Sequence, residues 1–177
     1  METTLPSPMA GSGIAMTARF LHPGDVALAL RGERLETLLG SCVAVLLSDP
    51  QHTIGAMCHI VHAGRREPAD PRDTSHAGPA MKAMFALLRS HGFAPEMCEA
   101  WILGGGNMFP EQDLIYPVGH ANLDWVYQFL HREGIEVVGE AVGGSCYRRI
   151  GWTIGSDAPD ITACGIDSQA ASELGGH

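Results

Sequence analysis

Apolar and polar positions in the first third of the chain predict a series of strands. Short apolar segments occur at 26–30 and 35–39, and two longer ones follow at 42–47 and 54–61. The longer segments are almost continuously apolar, which is typical of strands that are buried on both faces. Turn-forming residues at 48–52 separate them, so we expect the two strands to form an antiparallel hairpin.

Two later segments have the periodicity of amphipathic helices. The first begins at Pro79 and stops at Gly92, and the second begins with Asn122 as its N-cap and ends at Gly134. The apolar faces consist of Met81, Met84, Phe85 and Leu88 in the first helix, and of Leu123, Val126, Phe129 and Leu130 in the second. Shorter apolar segments predict three further strands, at 101–103, 135–138 and 150–154.

The order of these elements favours a layered α/β domain over a doubly wound parallel sheet. No Gly-x-Gly-x-x-Gly segment leads from a strand into a helix. A chain of 177 residues is long enough for one domain with a sizeable core. We expect that domain at 18–157, a flexible tail rich in Pro, Gly and Ser at 1–17, and a loosely ordered tail at 158–177.

Composition and charge narrow the classes of function. Acidic residues outnumber Lys and Arg by 20 to 11, and the formal charge of −9 argues against binding to a nucleic-acid backbone. The N-terminus lacks the basic and apolar regions of a secretory signal, and no segment approaches the roughly 18 apolar residues of a membrane span. Five cysteines without a Cys-x-x-Cys pair fit a reducing compartment, so we expect a cytoplasmic protein.

Cys42 and His59 are the main candidates for chemistry. In the predicted hairpin they lie near the start of one strand and the end of the next, so the thiol and the imidazole come within reach of each other. An imidazole that removes a thiol proton produces a nucleophilic thiolate. Gly40 and Ser41 leave space beside the sulfur and expose backbone N–H groups where an oxyanion could bind. The competing interpretation is a buried, inert cysteine and a structural histidine.

Other candidate sites are weaker. Cys58 is adjacent to His59, but alternation along a strand directs neighbouring side chains to opposite faces, so we expect Cys58 to be inert. The spacings of the nine histidines and five cysteines fit no zinc pattern, and we expect neither a metal nor a cofactor. The run at 104–107, Gly-Gly-Gly-Asn, lacks the Lys-Ser/Thr of a phosphate-binding loop. We expect Gly105 and Asn107 to border the pocket at a tight turn.

Five segments share their order and spacing with a known family. They are LLGSCVAVLL (38–47), IGAMCHIVH (54–62), LGGGNMF (103–109), VGHANLDWVYQFL (118–130) and GEAVGGSCYRRIGWTIGSD (139–157). Together they resemble the chemoreceptor glutamine deamidases, the CheD family, over residues 24–157. The most specific element is Gly-Ser-Cys followed by Gly-x-Met-x-His at the matching distance.

The resemblance implies a three-layer α/β/β sandwich of mixed sheets, with Cys42 as nucleophile and His59 as general base and acid. The family converts glutamine side chains of methyl-accepting chemotaxis receptors to glutamate and releases ammonia, and some members also act on methylated glutamates. Some members bind a CheC-type phosphatase. For this chain, the resemblance therefore implies protein-glutamine deamidase activity on such receptors, with a CheC-type phosphatase as a candidate partner.

The chain departs from the family pattern at several positions. The family's site includes a threonine on the strand that leads to the nucleophile. Glu36 occupies the position where some members carry it, and Thr37, one residue later, is our candidate third member. Whether Thr37 or Glu36 lies in the site stays open. The segment 76–78, His-Ala-Gly, replaces a Tyr-x-Asp segment, and Ala121 stands where a basic residue is usual, which affects the expected substrate contacts.

Two other functions are compatible with the same residues. One is a non-catalytic binding module of this fold that docks to a receptor or to a CheC-type phosphatase. The other is a cysteine protease with the same thiol–imidazole pair. The sequence does not specify the modified glutamines, the hydrolysis of methyl esters or the oligomeric state.

Overall fold

The computed structural model describes residues 17–64, 68–112 and 116–165. In chain order its strands and helices are β1 (Ala18–Phe20), β2 (Val26–Leu30), β3 (Arg34–Leu39), β4 (Val43–Ser48), β5 (Ile54–Ile60), α1 (Ala77–Ser90), β6 (Glu99–Gly104), α2 (Val118–Glu133), β7 (Glu136–Val142), β8 (Cys146–Thr153) and β9 (Asp160–Gly165). A short 3₁₀ helix, Pro95–Met97, precedes β6.

The strands form two mixed sheets. The larger has the order β2-β5-β4-β6-β7, and the smaller has the order β1-β3-β8-β9. β1 pairs in parallel with β3, and β6 pairs in parallel with β7, whereas the other pairs are antiparallel. The predicted hairpin is the antiparallel β4–β5 pair inside the larger sheet.

Two hydrophobic cores separate three layers. In the helix-side core, α1 and α2 pack on one face of the five-stranded sheet, and its members include Val43, Val45, Cys58, Met81, Met84, Val126 and Leu130. In the inter-sheet core, the opposite face of that sheet packs on the four-stranded sheet, and its members include Leu35, Leu39, Ala44, Leu46, Met57 and Ile150. Burial of one large apolar side chain stabilises the fold by about 1.5–3 kcal/mol. This layering confirms the expected α/β/β sandwich.

The helices differ from the predictions mainly at their starts. α1 begins two residues before Pro79 and ends at Ser90, with His91 as its C-cap, and Gly92 then adopts a left-handed conformation with φ +81°. α2 ends at Glu133, and its C-cap is Gly134, which has a φ of +69° and is the predicted stop. Neither of these helices, nor any other in the described ranges, is long and apolar enough to span a bilayer.

Asn122 was wrongly predicted as the N-cap of α2. The helix begins four residues earlier, at Val118, and its N-cap is Pro117, whose missing N–H costs nothing at a helix start. Asn122 lies inside the helix and is completely buried. Its amide therefore needs hydrogen-bond partners in the protein interior.

Two edge strands of the smaller sheet were not predicted. β1 is only three residues long and exposed. β9 pairs with β8 from Gly151 opposite Asp160 to Cys146 opposite Gly165. Ordered structure therefore extends beyond residue 157, where we expected the domain to end. The remaining parts of the two expected tails, 1–16 and 166–177, lie outside the described residues.

The turn between β4 and β5 is organised by the Asp49 carboxylate. It accepts hydrogen bonds from the N–H groups of Thr53 at 2.7 Å and Ile54 at 2.9 Å, and from the Thr53 hydroxyl at 2.7 Å. Burial alone would raise the pKa of Asp49, but these hydrogen bonds outweigh it and lower the pKa. The carboxylate thus stabilises the hairpin at the end opposite to Cys42.

Candidate active site

The segment 40–42 carries the chain from the four-stranded sheet to the five-stranded sheet, between β3 and β4. Cys42 is half-buried and contacts the inter-sheet core. Because side chains alternate along a strand, Cys42 shares its face with Ala44, and Ala44 lies opposite His59 in the β4–β5 ladder. The structure therefore places Cys42, the residue before β4, and His59, on β5, on one face and at one end of the sheet.

The ring of His59 has a defined orientation. The side chain is only 2% exposed, and its Nδ1 lies 2.8 Å from Oγ1 of Thr37. The Thr37 hydroxyl donates its proton to the carbonyl oxygen of Leu21 at 2.9 Å. A hydroxyl has a single proton, so Oγ1 accepts a hydrogen bond from Nδ1–H of His59. This network assigns the proton of the neutral ring to Nδ1 and leaves a lone pair on Nε2.

Among the described residues, Nε2 of His59 has no hydrogen-bond partner, although the atom is buried. No hydrogen bond joins it to Sγ of Cys42 in this structure. Buried polar atoms are nearly always paired, and a catalytic role is one recognised reason for an exception. Catalytic hydrogen bonds are often long before substrate binds. Nε2 is thus a free base on the face that Cys42 shares.

Burial favours the neutral form of both groups. It raises the pKa of the Cys42 thiol, and a hydrogen bond from the N–H of Cys42 itself opposes this in part. Burial also lowers the pKa of His59, although the Leu21 carbonyl and the Asp25 carboxylate act in the opposite direction. A thiol and an imidazole are therefore favoured over a thiolate and an imidazolium.

Backbone N–H groups beside the sulfur are available for an oxyanion. Within the described ranges, the N–H of Ser41 has no hydrogen-bond partner, and that of Cys42 contacts only its own sulfur. The carbonyl oxygens of Gly40 and Cys42 accept hydrogen bonds from N–H groups in the glycine-rich turn that follows β6. The segment is therefore held through its carbonyl groups, and two of its donors are left for a ligand.

The glycine-rich turn after β6 braces this segment. The N–H of Gly105 donates to the Cys42 carbonyl at 2.8 Å, and the N–H of Gly106 donates to the Gly40 carbonyl at 2.9 Å. Gly104 has a φ of +100°, and a Cβ at this position would overlap the Cys42 carbonyl oxygen. Because its N–H is already engaged, Gly105 supports the segment 40–42 rather than an oxyanion.

Asn107 directly follows the glycine-rich turn at 104–106. Its N–H donates to the Gly144 carbonyl at 2.8 Å, and its Oδ1 accepts a hydrogen bond from the N–H of Phe109 at 3.1 Å. None of the hydrogen bonds among the described residues joins Asn107 to Cys42 or His59. Asn107 therefore links the glycine-rich turn to the β7–β8 turn.

The structure distinguishes Thr37 from Glu36. Thr37 is fully buried between Leu35 and Leu39 on the inward face of β3, where it reaches His59. Glu36 lies on the other face and forms an ion pair with Arg34 at 2.9 Å. The sequence analysis left this choice open, although the alternation of the two leucines was a signal that assigns Thr37 to the core face.

Cys58, Cys98 and Cys164 lie away from this arrangement. Cys58 belongs to the helix-side core, on the opposite face from His59, and burial raises its pKa to about 12. Cys98 is also buried, and Cys164 is exposed on β9. In the parts of the chain that the structure describes, no group of three or more His, Cys, Asp or Glu side chains is arranged to hold a metal ion.

Two contributors were missed by the sequence analysis. The Leu21 carbonyl orients Thr37 and His59, but every residue has a carbonyl, so no side-chain pattern identifies it. The Asn122 amide contacts the Ser41 carbonyl, and its position before an apolar segment suggested a helix cap instead. The fact that an asparagine occurs inside an apolar helical face was the available signal.

The fold and the site together define a class: a sandwich of two sheets and a helical layer, with a half-buried thiol near a buried imidazole that a threonine anchors. Comparison with known proteins identifies the family. The CheD chemotactic sensory transduction family matches residues 62–157. This range begins after Cys42 and His59, whereas the curated relatives match a larger share of the chain.

A protein of Pseudomonas fluorescens named "Probable chemoreceptor glutamine deamidase CheD" is 32% identical over 140 residues, which are 77% of this chain and 79% of the relative. A "Probable chemoreceptor glutamine deamidase CheD 2" of Albidiferax ferrireducens is 33% identical over 162 residues, 88% and 94% of the two chains. One of the same name from Dechloromonas aromatica is 34% identical over 147 residues, 81% and 74%. The chain belongs to the CheD family, which confirms the resemblance found in the sequence.

Proposed function

We propose that this chain is a protein-glutamine deamidase that converts glutamine side chains of methyl-accepting chemotaxis receptors to glutamate. The names of the relatives support this reaction and this class of substrate. One observation carries the mechanism: the hydrogen bonds from Leu21 through Thr37 hold the proton of His59 on Nδ1 and leave Nε2 as a base on the face of Cys42.

In the first half of the reaction, Sγ of Cys42 attacks the side-chain carbonyl carbon of the glutamine while Nε2 of His59 removes the thiol proton. A C–S bond forms, and the carbonyl oxygen becomes an oxyanion that the N–H groups of Ser41 and Cys42 bind. The C–N bond then breaks as His59 returns the proton to the departing nitrogen. Ammonia leaves, and a thioester to Cys42 remains.

In the second half, a water molecule attacks the thioester and Nε2 of His59 takes a proton from it. The C–S bond breaks, the glutamate side chain is released, and the sulfur recovers its proton from the imidazolium. Thr37 contributes in both halves because Nδ1–H stays bonded to its hydroxyl oxygen while the ring gains and loses charge. Thr37 therefore orients the base without contacting the substrate.

The experiment is mass spectrometry of a purified receptor cytoplasmic fragment incubated with the wild-type protein or with Cys42→Ala. We expect the wild type to produce the small mass gain that marks conversion of an amide to an acid, and to release ammonia. The Cys42→Ala variant is expected to do neither, and Cys164→Ala, which removes an exposed thiol, serves as the control. Conversion by folded Cys42→Ala would exclude Cys42 as the nucleophile.

The same experiment tests the non-catalytic binding module. Receptor binding without conversion by the wild type would favour that function over the deamidase. Cytoplasmic localisation and binding of a CheC-type phosphatase stay predictions from composition and family resemblance.

A further inference from the structure

The β4–β5 ladder does not reach the candidate nucleophile, Cys42, which lies one residue outside it. Its last pair is Val43 opposite Ile60, so the next residues on the two strands, Cys42 and Val61, lie beyond it. The N–H of Val61 donates to the Ser75 carbonyl at 2.9 Å, outside the β4–β5 ladder. His59 lies inside the ladder, opposite Ala44, whereas Cys42 lies just beyond it, so any further connection between the Cys42 segment and the end of β5 is made outside the ladder.

The side-chain amide of Asn122 makes that connection. Its Nδ2 donates to the Ser41 carbonyl at 3.2 Å and to the Val61 carbonyl at 3.0 Å, and its Oδ1 accepts a hydrogen bond from the N–H of Ala63 at 2.7 Å. Asn122 is completely buried. Two carbonyl partners and one N–H partner determine which end of the amide is nitrogen, because only Nδ2 can donate.

We propose that Asn122 is a positioning residue for the nucleophile, because its amide replaces the missing ladder hydrogen bonds between the strand ends. The inference rests on the proposed thiol mechanism. Ser41 is adjacent to Cys42, and Val61 lies two residues after His59, so one side chain connects the segments next to both members of the pair. A misplacement of about 1 Å in a reacting group can lower a rate by about 100-fold.

The nucleophile segment, residues 40–42, is held by hydrogen bonds to its three carbonyl groups, and the type of each donor makes the role of Asn122 testable by substitution. Among the described residues, the carbonyls of Gly40 and Cys42 are held by backbone N–H groups of the glycine-rich turn, which no side-chain substitution removes. The carbonyl of Ser41, between them, is held by a side chain. Changing Asn122 therefore releases the middle of the segment and leaves its two neighbours bound.

The main variant is Asn122→Asp, which has nearly the same shape. It keeps an acceptor for the N–H of Ala63 but directs an oxygen at two carbonyl oxygens, which repel it. Gln128→Glu makes the same amide-to-acid change on the exposed face of α2. Leu130→Ala removes a fully buried side chain from α2 in the helix-side core, and controls for loss of stability.

Two quantities are measured for each purified variant. The first is kcat and KM for deamidation of the receptor fragment. The second is the rate at which iodoacetamide alkylates Cys42, followed by peptide mass spectrometry, with the exposed Cys164 as an internal reference. Urea denaturation establishes that each variant is folded.

We expect Asn122→Asp to lower kcat by about 10- to 100-fold while KM changes by less than about threefold. It is also expected to raise alkylation of Cys42 relative to Cys164, because the released segment becomes more accessible. Gln128→Glu and Leu130→Ala are expected to keep kcat within about twofold of the wild type. Asn122→Ala should reproduce the pattern, and it replaces Asn122→Asp if that variant does not fold.

A folded Asn122 variant with wild-type kcat and a wild-type alkylation ratio would overturn the proposal. A loss of kcat in Leu130→Ala as large as that in Asn122→Asp, at an equal free energy of unfolding, would also overturn the proposal. It would indicate a general effect of lowered stability. If the wild-type protein does not deamidate the receptor, the proposed function fails. In that case the alkylation ratio alone tests whether Asn122 holds Cys42, and an unchanged ratio contradicts it.

Discussion

The two faces of the β4–β5 hairpin present cysteines in opposite surroundings. On the helix-side face, Cys58 is fully buried among apolar side chains, and burial raises its pKa to about 12. On the inter-sheet face, Cys42 is half-buried and shares its end of the sheet with His59, whose ring Thr37 anchors. The comparison teaches that neighbouring polar groups, rather than the thiol alone, determine which cysteine can act as a nucleophile.

The largest effect is expected when the imidazole of the inter-sheet face is removed. His59→Gln leaves Cys42 without a base, and we expect kcat for ammonia release to fall by about 100- to 10,000-fold. Cys58 and the rest of the helix-side face are untouched by this change. A folded His59→Gln variant with wild-type kcat would show that another group activates Cys42.

A smaller loss is expected at the residue that anchors the ring. Thr37→Val removes the acceptor for Nδ1–H and places an apolar group beside it, so the proton is no longer held on Nδ1. We expect kcat to fall by about 10- to 100-fold, less than for removal of the ring itself. Thr37→Ser keeps the hydroxyl and is the matched control. Equal activity of the valine and serine variants would contradict a role for the hydrogen bond.

The pH dependence of kcat and of stability tests the surroundings of His59 on the inter-sheet face. Burial lowers the pKa of His59, so we expect kcat to decline with acidification at a pH below the ordinary histidine value of about 6.5. A folded state with a lowered pKa binds fewer protons than the unfolded state between the two pKa values. The stability contributed by neutral His59 is therefore present above about pH 6.5 and lost as the pH falls.

Urea denaturation of wild type and His59→Gln at neutral and acidic pH measures this contribution. The wild type is expected to lose more unfolding free energy on acidification than the variant, because only the wild type must protonate a buried ring. Equal losses would contradict the lowered pKa. The other histidines are common to both proteins and cancel in the comparison.

The smallest effect is expected on the helix-side face. Cys58→Ala removes one buried sulfur from the helix-side core and is expected to lower the free energy of unfolding by about 1 kcal/mol. Because Cys58 lies on the opposite face from His59, kcat should not change. A large loss of kcat without a loss of stability would show that the two faces are not independent.

The strands of the larger sheet were easier to predict than the two edge strands of the smaller sheet. β4 and β5 are buried along their whole length, so their apolar residues are continuous in the sequence. β9 is an exposed edge strand, and in it Ile161 is the one residue that packs on the inter-sheet core. Its hydrogen bonds to β8 do not require an apolar pattern, so the sequence offers no comparable signal.

The candidate site was predictable where side-chain chemistry and alternation apply. Both identify Cys42 and His59, and the alternation of Leu35 and Leu39 assigns Thr37 to the same core. The partners of Asn122 are 59 to 81 residues away in the chain, and such contacts follow from tertiary packing rather than from local pattern. For the same reason the Leu21 carbonyl could not be identified from the sequence.

The most direct test of the thiol mechanism is capture of the acyl intermediate with hydroxylamine. Hydroxylamine attacks a thioester more readily than water does, and converts the bound side chain to a glutamyl hydroxamate that mass spectrometry distinguishes from glutamate. With the wild type, we expect hydroxamate at the receptor positions that otherwise become glutamate, and none with Cys42→Ala. Continued deamidation by Cys42→Ala, or deamidation by the wild type without any hydroxamate, would contradict the account.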